Sequence, residues 1–123
     1  MRPLPNIGEL KACFRPVFER YHIQRAILFG SFARGDASAR SDIDLLLVQE
    51  TDSRFFDRLD GLLYDLNIAS PGPAVEALVY TPQELERMSD RPFIAQALRE
   101  GVVIYESNRS ETERAPLAGH RAR

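Results

Sequence analysis

Apolar positions at the start of the chain recur at helical spacing. Ile7, Leu10, Phe14, Val17, Phe18 and Tyr21 fall on one face, which predicts a helix over about residues 6–21. Pro16 lies inside it; proline lacks an amide donor and crowds the preceding turn, so a kink or two short helices are expected. Cys13 fits beside that face as a small hydrophobe. The apolar run 26–29, stopped by Gly30, reads as a buried strand, residues 31–35 as a tight turn or short helix, and 42–48 as a second strand. Phe55, Phe56, Leu59, Leu62, Leu63 and Leu66 return to helical spacing and predict one amphipathic helix, capped by Asp52 or Ser53 and running through Gly61. "SPGP" at 70–73 forces a loop, and 75–80 reads as a third strand. "TPQE" at 81–84 is a capping box with proline at the first helical position, opening a helix with Leu85 and Met88. A further helix over 90–100 is closed by Gly101, and "VVIYE" at 102–106 forms a last strand.

Strands alternating with helices predict an α/β (α+β) domain over residues 1–106, a small mixed sheet packed with helices. From residue 107 the chain is polar, arginine-rich and aperiodic, and residues 107–123 are expected to be a disordered tail. The length, 123 residues, suits one domain, and the apolar and charged fractions, 44% and 28%, are those of a soluble globular protein. A net charge of −2 argues against bulk nucleic-acid binding. No apolar run is long enough to span a bilayer, and a signal-peptide pattern is missing. A single cysteine fits a reducing compartment, so a cytoplasmic location is expected.

The chemistry concentrates in "GSFARGDASARSDIDLLLV", residues 30–48. Alternation along a strand puts Asp42 and Asp44 on one face and Ile43 on the other. Two carboxylates this close repel unless a cation lies between them, and Mg²⁺ is the usual solution, taking one or two carboxylates and completing its shell with water and phosphate oxygens. The bland alternative is a pair of aspartates that open a strand and face water. Against it stands the Gly30-Ser31 turn directly after a buried strand, where backbone amides and the Ser31 hydroxyl can meet an anion. Gly30 and Gly35 match half of a P-loop, but Asp36-Ala37 stand where lysine and a hydroxyl residue are required, so that reading fails.

Gly-Ser followed after a short loop by Asp-x-Asp resembles the signature of the DNA polymerase β nucleotidyltransferase superfamily, most of all its minimal nucleotidyltransferases (MNT). The resemblance spans about residues 7–106, including "VYTPQELE" and "ALREGVVIYE". It implies a mixed sheet, with ATP as substrate and Mg²⁺, two ions, as cofactor. Asp42 and Asp44 would hold the metal, and Gly30 and Ser31 the triphosphate. AMP would pass to an acceptor hydroxyl as pyrophosphate leaves. It further implies a HEPN-domain toxin, encoded by a neighbouring gene, as partner, with this chain as antitoxin AMPylating a tyrosine and joining homo- or hetero-oligomers.

The third carboxylate by position is Glu76, where the family more often has aspartate; Asp60 and Asp65 are its rivals. Arg34 is a candidate triphosphate contact or a helix-surface arginine; Arg40 is a candidate partner of a phosphate or carboxylate. Ser41 reads as a turn hydroxyl, His22 as a contact at a helix end, and Tyr21, Tyr64, Tyr80 and Tyr105 as core or rim aromatics; His120 is assigned nothing. Two other functions stay open: an antitoxin that acts by binding alone, with a vestigial nucleotide site, and transfer to a small molecule. The latter is disfavoured because a single domain leaves nothing to build a second pocket.

Overall fold

The computed structural model describes residues 3–107; the rest of the expected tail lies outside them. In chain order the elements are α1 (Ile7–Arg20), β1 (Arg25–Phe29), α2 (Ser31–Arg34), β2 (Ile43–Val48), a 3₁₀ turn (Phe56–Leu59), α3 (Leu62–Ala69), β3 (Val75–Tyr80), α4 (Pro82–Met88), α5 (Pro92–Glu100) and β4 (Val102–Glu106). The four strands form one sheet in the order β3-β2-β1-β4. β2 and β3 are parallel, joined by the crossover that carries α3, while β1 pairs antiparallel with β2 and β4. The sheet is therefore mixed.

Alternation sorts the strand residues between two cores. Ala26 and Leu28 of β1, Leu45 and Leu47 of β2, and Val75 and Val79 of β3 meet Leu10, Phe14 and Phe18 of α1 and Leu62 and Leu66 of α3. On the other face Ile27, Leu46, Val48 and Tyr80 meet Ile94 and Ala97 of α5. β2 reads as a near-continuous apolar run because it is central and covered on both sides. Asp44 and Glu76 alternate with the first set, so both belong to the α5 face.

Two sequence expectations are overturned. α1 runs as one helix through Pro16, because the proline sits on the exposed side, where water can take the carbonyl its ring leaves unbonded, and the packed face opposite holds the axis. The N-cap is Asn6, in a capping box with Glu9. The single helix expected to carry Phe55 through Leu66 is instead a 3₁₀ turn and α3, broken at Gly61, whose φ is +78°. Phe55 packs on Tyr80 (ring centroids 5.4 Å apart) while Leu59 joins the α1 side, so this segment wraps around the β3 edge rather than presenting one face. Neither Asp52 nor Ser53 caps it; the Ser53 amide donates to Thr51 Oγ1 instead.

The crossover also protects the edge of the sheet. Asn67 of α3 donates to Val75 O and accepts from Val75 N, and Arg58 donates to Val79 O, so side chains occupy backbone groups that a foreign strand would otherwise meet. At the opposite edge of the domain Ser107, expected to begin the tail, donates its amide to Gln24 O.

Candidate active site

Gly30 has φ +78° and ψ −157°, a conformation essentially reserved for glycine. A Cβ there would overlap Oδ2 of Asp44. The turn after β1 and the carboxylate on β2 are thus in direct contact, and only a residue without a side chain permits it. Gly30 O accepts the amides of Ala33 and Arg34, and Gly35, also at positive φ, closes α2. Ser31 is the first residue of that helix and half-buried.

Asp44 is partnered in register by Phe29 on β1 and by Glu76 on β3. Burial, followed by the nearby charges of Glu76 and Asp42, raises its carboxyl above the ordinary aspartate range, and Arg34 opposes the rise. Asp42 does not lie in the strand as expected. Ile43 is the first residue whose amide enters the ladder, on Ala74 O, and Asp42 stands exposed just ahead of it, after a turn in which Ser41 Oγ accepts from Ser38 N. Glu76 is exposed. Among the described residues no three His, Cys, Asp or Glu side chains are grouped closely enough to hold a metal ion together. The arrangement still suits a hard divalent ion that needs only one or two carboxylates, because like charges crowd an oxygen-only donor set at a half-buried position.

Asp44, Glu76, Leu78, Phe29 and Phe93 line a cleft of about 320 Å³. Arg34 lies in the adjoining cleft beside Gly30, its Nε 3.2 Å from Asp36 Oδ2. Arg40 is exposed, its amide on Ser38 Oγ, and its guanidinium bonds no carboxylate among the described residues. The rival Asp65 is committed elsewhere: on α3 it accepts from Tyr21 Oη at 2.6 Å and from Arg20 at 3.1 Å, on the other side of the sheet. Asp60 lies close enough to Tyr21 to help raise its hydroxyl pKa, as Asp65 does more strongly. His22 takes positive φ after α1, donating its amide to Glu19 O. Tyr64, expected at a core or rim, is 70% exposed because α3 turns its Leu62–Leu66 side inward. A larger cleft, about 390 Å³, lies at the far end of β2 near Gln24, Val48 and Leu85, away from the carboxylates.

Sequence reasoning missed the aromatic wall of the site. Phe29 and Phe93 meet edge to face, centroids 5.6 Å apart, at the mouth of both site clefts. It also missed Arg58, whose buried guanidinium pairs with Glu84; the only trace in the sequence was the capping-box glutamate itself.

Residues 14–110 match the family described as Polymerase beta, Nucleotidyltransferase. Two proteins of Methanocaldococcus jannaschii, each named as a candidate protein adenylyltransferase, are similar to the chain. One is 36% identical over 86 residues, 70% of this chain and 82% of the relative; the other is 35% identical over 75 residues, 61% and 78%. Among solved structures, a candidate nucleotidyltransferase from Sulfolobus solfataricus aligns with TM-score 0.52 and 25% identity over 81% of this chain and 79% of that one. A chain from the complex of the tri-AMPylated Shewanella oneidensis HEPN toxin with its MNT antitoxin aligns with TM-score 0.56 over 94% and 93%, and at 14% identity that likeness is one of fold.

Proposed function

The chain belongs to the polymerase beta nucleotidyltransferase family and is a nucleotidyltransferase; we propose that it transfers AMP from ATP to a hydroxyl, a tyrosine, of a partner protein. The observation that carries this reading is the placement of Asp44, touching the Gly30 turn on one side and in register with Glu76 on the other. A reaction at phosphorus needs its leaving group and its nucleophile on opposite sides, and these two neighbours supply such sides.

Gly30 and Ser31, with Arg34 and Arg40 within the same loop, hold the triphosphate. The acceptor hydroxyl oxygen attacks the α-phosphorus from the Glu76 side; the bond to the β-phosphate oxygen breaks, pyrophosphate leaves toward the turn, and the hydroxyl proton passes to the Glu76 carboxylate. Asp42 and Asp44 are the residues that would hold Mg²⁺, which when bound would offset their charge and that of the phosphates, with Glu76 beside them as the proton acceptor. Ala77 and Leu78, next to Glu76 on β3, give the acceptor side of the cleft an apolar lining, which suits an aromatic ring that carries its hydroxyl at the tip.

The partner we propose is a HEPN-type toxin, this chain acting as its antitoxin in the cytoplasm. Relatives named for protein adenylylation and the fold shared with an MNT antitoxin complex support that choice. The test is incubation with Mg²⁺, ATP labelled at the α-phosphate and the HEPN-type product of a neighbouring gene. Label on a partner tyrosine, absent with Asp44→Asn, is the expected result. Neutralisation of the toxin without label transfer would replace catalysis with binding as the mode of action.

A further inference from the structure

We propose that Phe93 is the platform on which the base of the bound nucleotide stacks, an inference that rests on the nucleotide site of the preceding section. Phe93 is the second residue of α5 and 53% exposed, although Ile94 beside it is fully packed in the core. An exposed aromatic at this point is held in place: its ring meets Phe29 at 84°, and Phe29 is the in-register neighbour of Asp44. The strand ladder therefore fixes the position of Phe93 relative to the carboxylate.

The ring also lies between two clefts. On one side is the Asp44–Glu76 cleft; on the other is a space of about 190 Å³ bounded by Gly30, Arg34, Gln96 and Glu100. A nucleotide whose β- and γ-phosphates lie along the Gly30 turn, with the α-phosphate at Asp44, brings its nucleoside against this ridge. The base is the only flat, weakly solvated part of that ligand, and aromatic faces bind bases of any sequence through stacking.

Calorimetric titration of the full chain with Mg–ATP and, separately, with Mg–tripolyphosphate tests this. Phe93→Ala should weaken ATP binding about tenfold or more, while binding of tripolyphosphate, which has no base, stays within about twofold of wild type. Phe93→Trp should retain ATP affinity. The platform is refuted if Phe93→Ala binds ATP like wild type, or loses both ligands in equal proportion. Loss of label transfer with ATP affinity intact would refute it too, since Phe93 would then serve the acceptor. A wild-type protein that binds neither ligand would overturn the nucleotide site itself, and the platform with it.

Discussion

Asp44 and Glu76 are direct partners in the parallel ladder of β2 and β3. Neighbouring strands lie about 4.8 Å apart, so the two residues stand side by side on the α5 face, each carboxylate within reach of the other's charge. Of the two, Glu76 is the exposed one, open to an incoming hydroxyl. Glu76→Gln should leave ATP affinity within about threefold of wild type but slow transfer by roughly 100-fold or more, the scale of a lost general base. Glu76→Asp keeps the charge on a shorter arm and should retain part of the rate. The rate of label transfer at saturating ATP decides; an unchanged rate for Glu76→Gln removes it from the proton-accepting role.

Removing charge from the inner member of the pair acts differently. Like charges opposite one another in a sheet cost about 0.2–1 kcal/mol, and the charges of both Glu76 and Asp42 bear on Asp44. Without metal, Asp44→Asn should therefore melt about 2–5 °C higher than wild type. Its stabilisation by Mg–ATP should vanish. Thermal melts with and without Mg–ATP check both halves, and a variant that Mg–ATP still stabilises as strongly as wild type would displace the metal site from Asp44.

The turn is testable through backbone strain. Gly30→Ala forces a side chain into a glycine-only conformation and against the Asp44 carboxylate. The expected loss is about 1–3 kcal/mol in urea unfolding, together with weaker ATP binding. Ser31→Ala should unfold like wild type, yet bind ATP about 1.5–3 kcal/mol less tightly if its hydroxyl meets a charged phosphate oxygen. Equal ATP affinity in both variants would place the triphosphate elsewhere.

What the sequence reveals of this fold is what local periodicity encodes. All four strands and the α4 capping box follow from short apolar runs and turn chemistry, and the alternation in 75–80 already separates Glu76 from Val75, Ala77 and Val79. Periodicity fails where a segment changes sides. Phe55 and Leu59 are four residues apart and mimic one helical face, yet they pack on opposite faces of the sheet, a fact that belongs to the crossover and not to the spacing. Pro16 misleads for a related reason, because its effect depends on whether its side of the helix meets water or core. At the candidate site, residue types point to Asp44 and the Gly30 turn, but the contact between them arises from an antiparallel register that no local pattern specifies. Phe29 and Phe93, 64 positions apart, become neighbours only through the packing of α5 on the sheet.

The ion pair that anchors the crossover should govern acid stability. The Arg58 side chain is 6% exposed and grips Glu84 through two parallel bonds, Nη1 to Oε1 at 2.6 Å and Nη2 to Oε2 at 2.9 Å. It also donates to Val79 O and Ser53 O, tying the 3₁₀ turn to β3 and α4 together. The Arg58 hydrogen bonds, then the bond from the Thr81 amide, hold the Glu84 carboxyl down at about 2. A depressed carboxylate stabilises the fold fully above its unfolded value near 4.5, and that contribution fades as pH falls toward 2. With Glu84 partly exposed, the loss should be on the order of 2 kcal/mol. Asp44, whose carboxyl is raised, contributes with the opposite sign, so the comparison to make is wild type against Glu84→Gln. Urea midpoints measured at pH 7, 4 and 3 should fall more steeply for wild type than for Glu84→Gln, which carries no charge to lose. Arg58→Ala, which strands a carboxylate and frees two carbonyls, should cost about 3 kcal/mol at pH 7. If wild type and Glu84→Gln lose equal stability between pH 4 and 3, the acid sensitivity of the domain does not originate in this pair.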